Sequence, residues 1–158
     1  MAVTATTHLN FNGDAREALE FYRHVFGGRL VIATYGDLGT APTPADADKV
    51  VFGQVIADDG FGVMAYDVPS TSPGTPLGGT SAPSTTREDG VTLTTEPFFI
   101  SLRGETVDEV AALWDGLVDG AKVVVEFGPA PWAPAAGMLT DRFGVTWSLD
   151  VAVPYAAP

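Results

Sequence analysis

One phrase of this chain occurs twice. Asp59-Gly60-Phe61-Gly62-Val63, running on to Asp67-Val68, returns as Asp141-Arg142-Phe143-Gly144-Val145, running on to Asp150-Val151. The same series precedes each copy: an apolar strand, a capped amphipathic helix, a glycine stop and a second strand. The pattern predicts two copies of one β-α-β-β-β unit. A unit with a single helix cannot cover its own sheet, so the two copies are expected to join their sheets into one larger curved surface. The expected class is therefore α+β, two β-α-β-β-β modules forming a cupped mixed sheet with helices on its outer face. A cup suggests a ligand.

The local signals divide the chain into a first module at residues 1–68, a linker at 69–97 and a second module at 98–158. In the first, residues 4–12 read as a strand, and Asp14 with Glu17 resembles a capping box. Ala15, Ala18, Leu19, Tyr22, Val25 and Phe26 then fall at helical spacing until Gly27-Gly28 stops the turn. Residues 29–35 read as the next strand, and 50–58 with 61–68 as a hairpin around the two-residue turn Asp59-Gly60. In the second module, residues 98–103 read as a strand and Thr106-Val107-Asp108-Glu109 as a capping box. Val107, Val110, Ala111, Trp114 and Leu117 supply a buried stripe, 121–127 a strand, 128–134 a rigid proline-rich loop and 137–150 the closing hairpin. Residues 69–97 are crowded with Pro, Gly, Ser and Thr, the composition of a flexible connector. So long a loop is unusual in a compact domain, and a lid, a dimer arm or plain disorder are the other readings.

Charge narrows the partners. Across 158 residues the formal net charge is −12, with only eight Lys and Arg and no basic cluster, so neither nucleic acid nor an anionic membrane is an expected partner. The absence of cysteine excludes a disulfide framework, a thiol nucleophile and a thiolate metal site. No apolar run reaches transmembrane length and the first ten residues lack a signal-peptide pattern, so a cytoplasmic location is expected.

Strand parity sorts the remaining side chains, because alternate residues face opposite sides of a sheet. Leu9, Phe11, Val51, Val55, Val63, Ala65, Ile100, Leu102, Val145, Trp147 and Leu149 form the set expected to meet the helices. The opposite parity holds His8, Asn10, Phe52, Gln54, Ile56, Met64, Tyr66, Phe99, Ser101, Arg103, Thr146, Ser148 and Asp150. Aromatic surface with a few polar groups is the make-up of a small-molecule pocket. Trp132, in the proline-flanked loop, is a candidate to stack on such a ligand.

Leu9-Asn10-Phe11-Asn12-Gly13, Ala18-Leu19-Glu20-Phe21-Tyr22, Val25-Phe26-Gly27-Gly28 and residues Thr140-Asp141-Arg142-Phe143-Gly144-Val145-Thr146-Trp147 resemble the PhnB-like branch of the vicinal oxygen chelate superfamily. That superfamily includes glyoxalase I, extradiol dioxygenases and bleomycin-resistance proteins. The resemblance implies four metal-ligand positions, falling at His8, Gln54, Phe99 and Ser148. Phe99 has no donor atom and Ser148 is a poor neutral ligand, so two donors remain where a stable site needs three or four. A shifted set of His8, Gln54 and Asp150 is the alternative.

The sequence thus points to a glyoxalase- and bleomycin-resistance-like protein, metal-free and without cofactor, binding a small, partly aromatic molecule. The alternative is a lyase, isomerase or dioxygenase working through one divalent metal. A third reading is a metal-free enzyme with His8 or Tyr66 moving a proton. Arg103 could hold a ligand anion or pair with Glu105 or Asp150. Superfamily members pair modules between chains, so a homodimer is expected.

Overall fold

The apolar stripe of residues 15–26 does become a helix, and the strands around it build a sheet for it to cover. The structure is a computed structural model that describes residues 3–71 and 84–154. The chain divides into two compact units, Met1–Gly79 and Thr80–Pro158. The first runs β1 (Thr7–Phe11), α1 (Ala15–Phe26), β2 (Arg29–Thr34), a 3₁₀ turn (Pro44–Asp46), β3 (Val50–Ile56) and β4 (Gly62–Asp67). Its sheet has the order β1-β4-β3-β2, with β1 and β4 parallel and the remaining pairs antiparallel. The second runs β5 (Thr85–Glu88), β6 (Val91–Thr94), β7 (Ile100–Gly104), α2 (Val107–Leu117), β8 (Lys122–Ala130), β9 (Ala133–Thr140) and β10 (Thr146–Val151). Its main sheet repeats the same topology as β7-β10-β9-β8, again with one parallel pair. The class is α+β and the two β-α-β-β-β modules are present. Their strands hydrogen-bond as two separate sheets of four.

The repeat is real, but its register differs from the one the sequence suggests. The matching phrase aligns Gly62 with Gly144, whereas the backbone aligns Gly60 with Gly144. Both take left-handed φ values, 94° and 85°, which glycine adopts without strain. Each closes the same loop: the Gly60 N–H donates to the Ala57 carbonyl at 3.1 Å and the Gly144 N–H to the Asp141 carbonyl at 3.0 Å. The Ala57 N–H then reaches the Phe61 carbonyl and the Asp141 N–H the Val145 carbonyl. The turn has three residues rather than the expected two, and its third is a left-handed glycine.

Other expectations need local correction. Asp14 makes no side-chain cap bond. The start of α1 is held instead by Asp67 at the end of β4, whose buried carboxylate accepts the N–H groups of Gly13 at 2.7 Å and Ala15 at 3.0 Å. Its other oxygen accepts the Val50 N–H, so one side chain ties β4, α1 and β3 together. The capping box at Thr106 is present as expected, with Glu109 answering it. Val51 is displaced from the core by a register shift where β3 pairs with Ala33 and Thr34, and Val50 is fully buried in its place. Val145 lies before β10 and is only half-buried. Residues 128–134 are not a loop. They belong to the β8–β9 hairpin, turning at Pro131-Trp132, and β8, which pairs with β9 through repeated register shifts, holds Pro129 on a sheet edge.

Part of the stretch read as a linker is ordered. Residues 85–94 form the β5–β6 hairpin, whose tip Asp89 and Gly90 take positive φ. Residues 72–83 of that stretch lie outside the described residues.

In each unit the core lies between helix and sheet. Leu9, Val55, Val63 and Ala65 meet Ala15, Ala18, Leu19 and Tyr22 in the first unit. In the second, β7 and β10 pack on α2, where Trp147, Leu149, Val110, Trp114 and Leu117 are buried. The parity reading of the buried face holds for these residues.

Candidate functional site

With one face of each sheet committed to a helix, the other is left open. On the first unit a single row crosses all four strands: His8 pairs with Met64, Met64 with Gln54 and Gln54 with Val31. His8 and Val31 are exposed, Met64 and Gln54 half-buried. In the next row Asn10 pairs with Tyr66. The Tyr66 ring meets the His8 imidazole edge to face, with centroids 5.4 Å apart and planes at 66°. Phe52 and Ile56 are each 37 % exposed. His8, Asn10, Phe52, Gln54, Met64 and Tyr66 therefore do share one face, as parity predicts.

The open face of the second unit is more polar. Ser101 pairs with Ser148, which pairs with Met138, and Arg103 pairs with Asp150, which pairs with Ala136. Arg103 donates from Nε and a terminal nitrogen to the two carboxylate oxygens of Asp150, at 2.8 and 2.7 Å. That bidentate bond pushes the guanidinium pKa above its ordinary value. Of the two sequence readings for Arg103, the ion pair is the one formed.

Three residues fall elsewhere. Phe99 precedes β7, so strand parity does not govern it, and it is half-buried. Thr146 is fully buried, bonded to Thr140 and Glu96 rather than facing outward. Trp132 is 59 % exposed at the tip of the β8–β9 hairpin. Sequence reasoning missed Val31 and Met138, which register places in the two rows just described. The signal for Met138 was the pairing of β9 with β10, hidden because Ala-rich β9 shows no alternation.

The repeat register also bears on metal chemistry. Ser148 on the closing strand of the second unit corresponds to Met64 on the closing strand of the first, and His8 on β1 corresponds to Ser101 on β7. Neither methionine thioether nor neutral serine is a ligand of choice for a hard divalent ion. In the alternative set, both carboxylate oxygens of Asp150 are engaged by Arg103, while Met64 stands between His8 and Gln54. Among the described residues no three His, Cys, Asp or Glu side chains gather as a metal-holding group. The donor set does not fit the divalent metal of the superfamily's enzymes.

A cavity of about 520 Å³ on the first unit lies at the end where the helix stop meets the β3–β4 turn. Gly28, Arg29, Ile56, Ala57 and Asp58 line it. It contains Ile56 of the outward parity set and none of the polar candidates. No helix among the described residues is long and apolar enough to cross a membrane.

Comparison with solved structures finds the same architecture elsewhere. Protein PA1353 from Pseudomonas aeruginosa is 31 % identical, with a TM-score of 0.72 over 95 % of this chain and 98 % of its own. A PhnB protein from Bacillus cereus is 22 % identical, with a TM-score of 0.66 over 95 % of this chain and all of its own. A glyoxylase/bleomycin resistance protein/dioxygenase domain from Frankia sp. EAN1pec shares the fold at 11 % identity, with a TM-score of 0.61 over 99 % of this chain and 96 % of its own. No curated protein matches the chain. Residues 7–149 match the model of one family, whose two-module build the repeat here shares, and the chain belongs to the glyoxalase/bleomycin resistance protein/dioxygenase superfamily.

Proposed function

We propose that this protein binds a small, partly aromatic molecule against its open strand faces, without a metal. The observation that carries the reading is the first unit's uncovered face, where Phe52, Ile56, Met64, Tyr66 and Val31 present apolar surface around His8, Asn10 and Gln54. Rings of this kind supply stacking area, and a few polar groups among them fix orientation. The pairing of Asp150 with Arg103 and the poor donors at Met64 and Ser148 weigh against metal-assisted chemistry. The reading includes a homodimer in solution, which light scattering tests.

The deciding experiment is a titration of protein purified without chelator, and assayed for bound metals, against a library of aromatic and heteroaromatic compounds. Intrinsic fluorescence and calorimetry supply the readout. Binding by metal-free protein, weakened by Phe52→Ala, is expected. One tightly held divalent ion per chain, lost on His8→Ala, would sink this reading in favour of a metal-dependent lyase, isomerase or dioxygenase.

A further inference from the structure

We propose that Glu96 is a latch that fastens the β5–β6 hairpin to the strand pair carrying Ser101 and Ser148, so that hairpin and strand ends open together. Glu96 stands between β6 and β7. One of its carboxylate oxygens accepts the hydroxyl of Thr85 on β5 and, at 2.7 Å, the hydroxyl of Thr146 at the first position of β10. Thr146 is bonded in turn to Thr140 at the end of β9, at 2.7 Å, and Thr85 to Thr94 on β6, at 2.9 Å. The Glu96 N–H donates to the Thr94 hydroxyl.

Thr85 and Thr146 are both 1 % exposed. Burying a hydroxyl is unfavourable unless it is bonded, and the carboxylate, by accepting both, joins the Thr85–Thr94 pair of the hairpin to the Thr140–Thr146 pair of the main sheet. A second tie comes from β8, where the Lys122 ammonium donates to the Thr85 carbonyl at 3.1 Å. The latch sits at one end of the parallel pair β7–β10. Ile100 and Trp147 are the first residues in register there, and Ser101 with Ser148, facing the open side, are the next. Losing the latch would free the hairpin and the start of both strands at once, while the far end at Gly104 and Val151 keeps its own bonds.

Trypsin supplies a probe, because Arg87 on β5 is the single Lys or Arg between Lys49 and Arg103. Glu96→Ala removes both arms of the latch, and Thr146→Val removes one while keeping the shape. Loss of two hydrogen bonds to a carboxylate should raise cleavage at Arg87 about ten- to a hundredfold when closing is fast relative to cutting, with a smaller rise for Thr146→Val. Amide hydrogen exchange should quicken at Ile100, Ser101, Trp147 and Ser148 but not in α2 or at Gly104 and Val151. The proposal is overturned if cleavage at Arg87 does not rise. It is equally overturned if exchange at those strand ends stays as in wild type or rises evenly through the second unit. Should Glu96→Ala fail to fold, the same measurements on Thr146→Val decide alone.

Discussion

The indole N–H of Trp147 donates a 2.9 Å hydrogen bond to the carboxylate of Asp141, six residues earlier on the far side of the same turn. The other oxygen of that carboxylate accepts the N–H groups of Phe143 and Val145 at 2.9 and 3.0 Å. Asp141 therefore shapes the turn and anchors the largest fully buried side chain of the protein at once. The phrase Asp-Arg-Phe-Gly-Val-Thr-Trp is a folding device in this chain: its aspartate, glycine and tryptophan are each used in closing the β9–β10 hairpin against α2.

Trp147→Ala should therefore lower stability by about 3–5 kcal/mol, as truncation of large buried aromatics does. Asp141→Ala should cost about 1–3 kcal/mol by a different route, stranding a buried indole N–H and two turn amides. Trp147→Phe keeps most of the volume and should fall below Trp147→Ala. Urea unfolding followed by circular dichroism gives all three, and an Asp141→Ala variant as stable as wild type would remove the anchor from this account.

Two glycines at equivalent positions of the repeat set how closely each helix lies on its sheet. Gly53 pairs with Ala65 on β4, and Gly137 pairs with Leu149 on β10. A methyl group on Gly53 would run into Leu19 Cδ1 of α1, and one on Gly137 would lie 2.8 Å from Trp114 Cζ3 of α2 and 2.9 Å from the Phe127 backbone. Gly53→Ala and Gly137→Ala should each destabilise by about 1–3 kcal/mol through overpacking. Gly128, with nothing within 4 Å of an added Cβ, is the control, and Gly128→Ala should stay within about 0.5 kcal/mol of wild type.

Those glycines show where the sequence was legible. Helices, the succession of elements along the chain and the buried parity could be read because periodicity records which side of an element meets water, as in Leu9, Val55, Val63 and Trp147. Gly53 and Gly137 carry no such record, since their function is to be absent at a contact made by another element. The same holds for Asp67, whose partners Gly13 and Val50 are distant in sequence, and for Glu96, which looked like one polar residue in a linker. The first unit's candidate face was legible because β1 and β4 alternate, as does β3 beyond the register shift at Val50-Val51. Phe99 was misplaced because its strand begins at Ile100, two residues later than the apolar run from Phe98 suggests.

Acid should expose two carboxylates. Asp46 is buried and held well below the usual carboxylate range by its bond to Lys49, and further by the hydroxyls of Thr43 and Ser70. Asp37 is lowered by the Thr34 N–H and hydroxyl. A depressed native pKa stabilises the fold fully above the unfolded value of about 3.9, and that contribution is lost as pH falls from there through the native value. The gap in melting temperature between wild type and Asp46→Asn should thus be constant from neutral pH down to about 5 and narrow below about 4. A gap that narrowed instead between pH 8 and 6 would contradict this assignment.

The open face of the first unit makes a prediction opposite in kind to the core. Phe52 and Tyr66 already border solvent in the free protein, so removing either ring opens little new void, whereas Val55 and Trp147 on the covered face are fully buried. Phe52→Ala should therefore cost no more than about 1 kcal/mol of stability, against about 3–5 for Trp147→Ala. For an aromatic ligand the ranking should reverse. A stacking ring contributes about 0.5–1.5 kcal/mol beyond its buried area, so Phe52→Ala or Tyr66→Ala should weaken binding by roughly threefold to tenfold or more. Loss of the Tyr66 ring also frees the His8 imidazole from its edge-to-face contact, and a ligand that stacks on His8 would then report Tyr66→Ala and His8→Ala as less than additive. Thermal melts and titrations on the same four variants test both halves. If Phe52→Ala melts as low as Trp147→Ala, the face is packed core rather than binding surface, because only a ring already shut away from water leaves a cavity when it is removed.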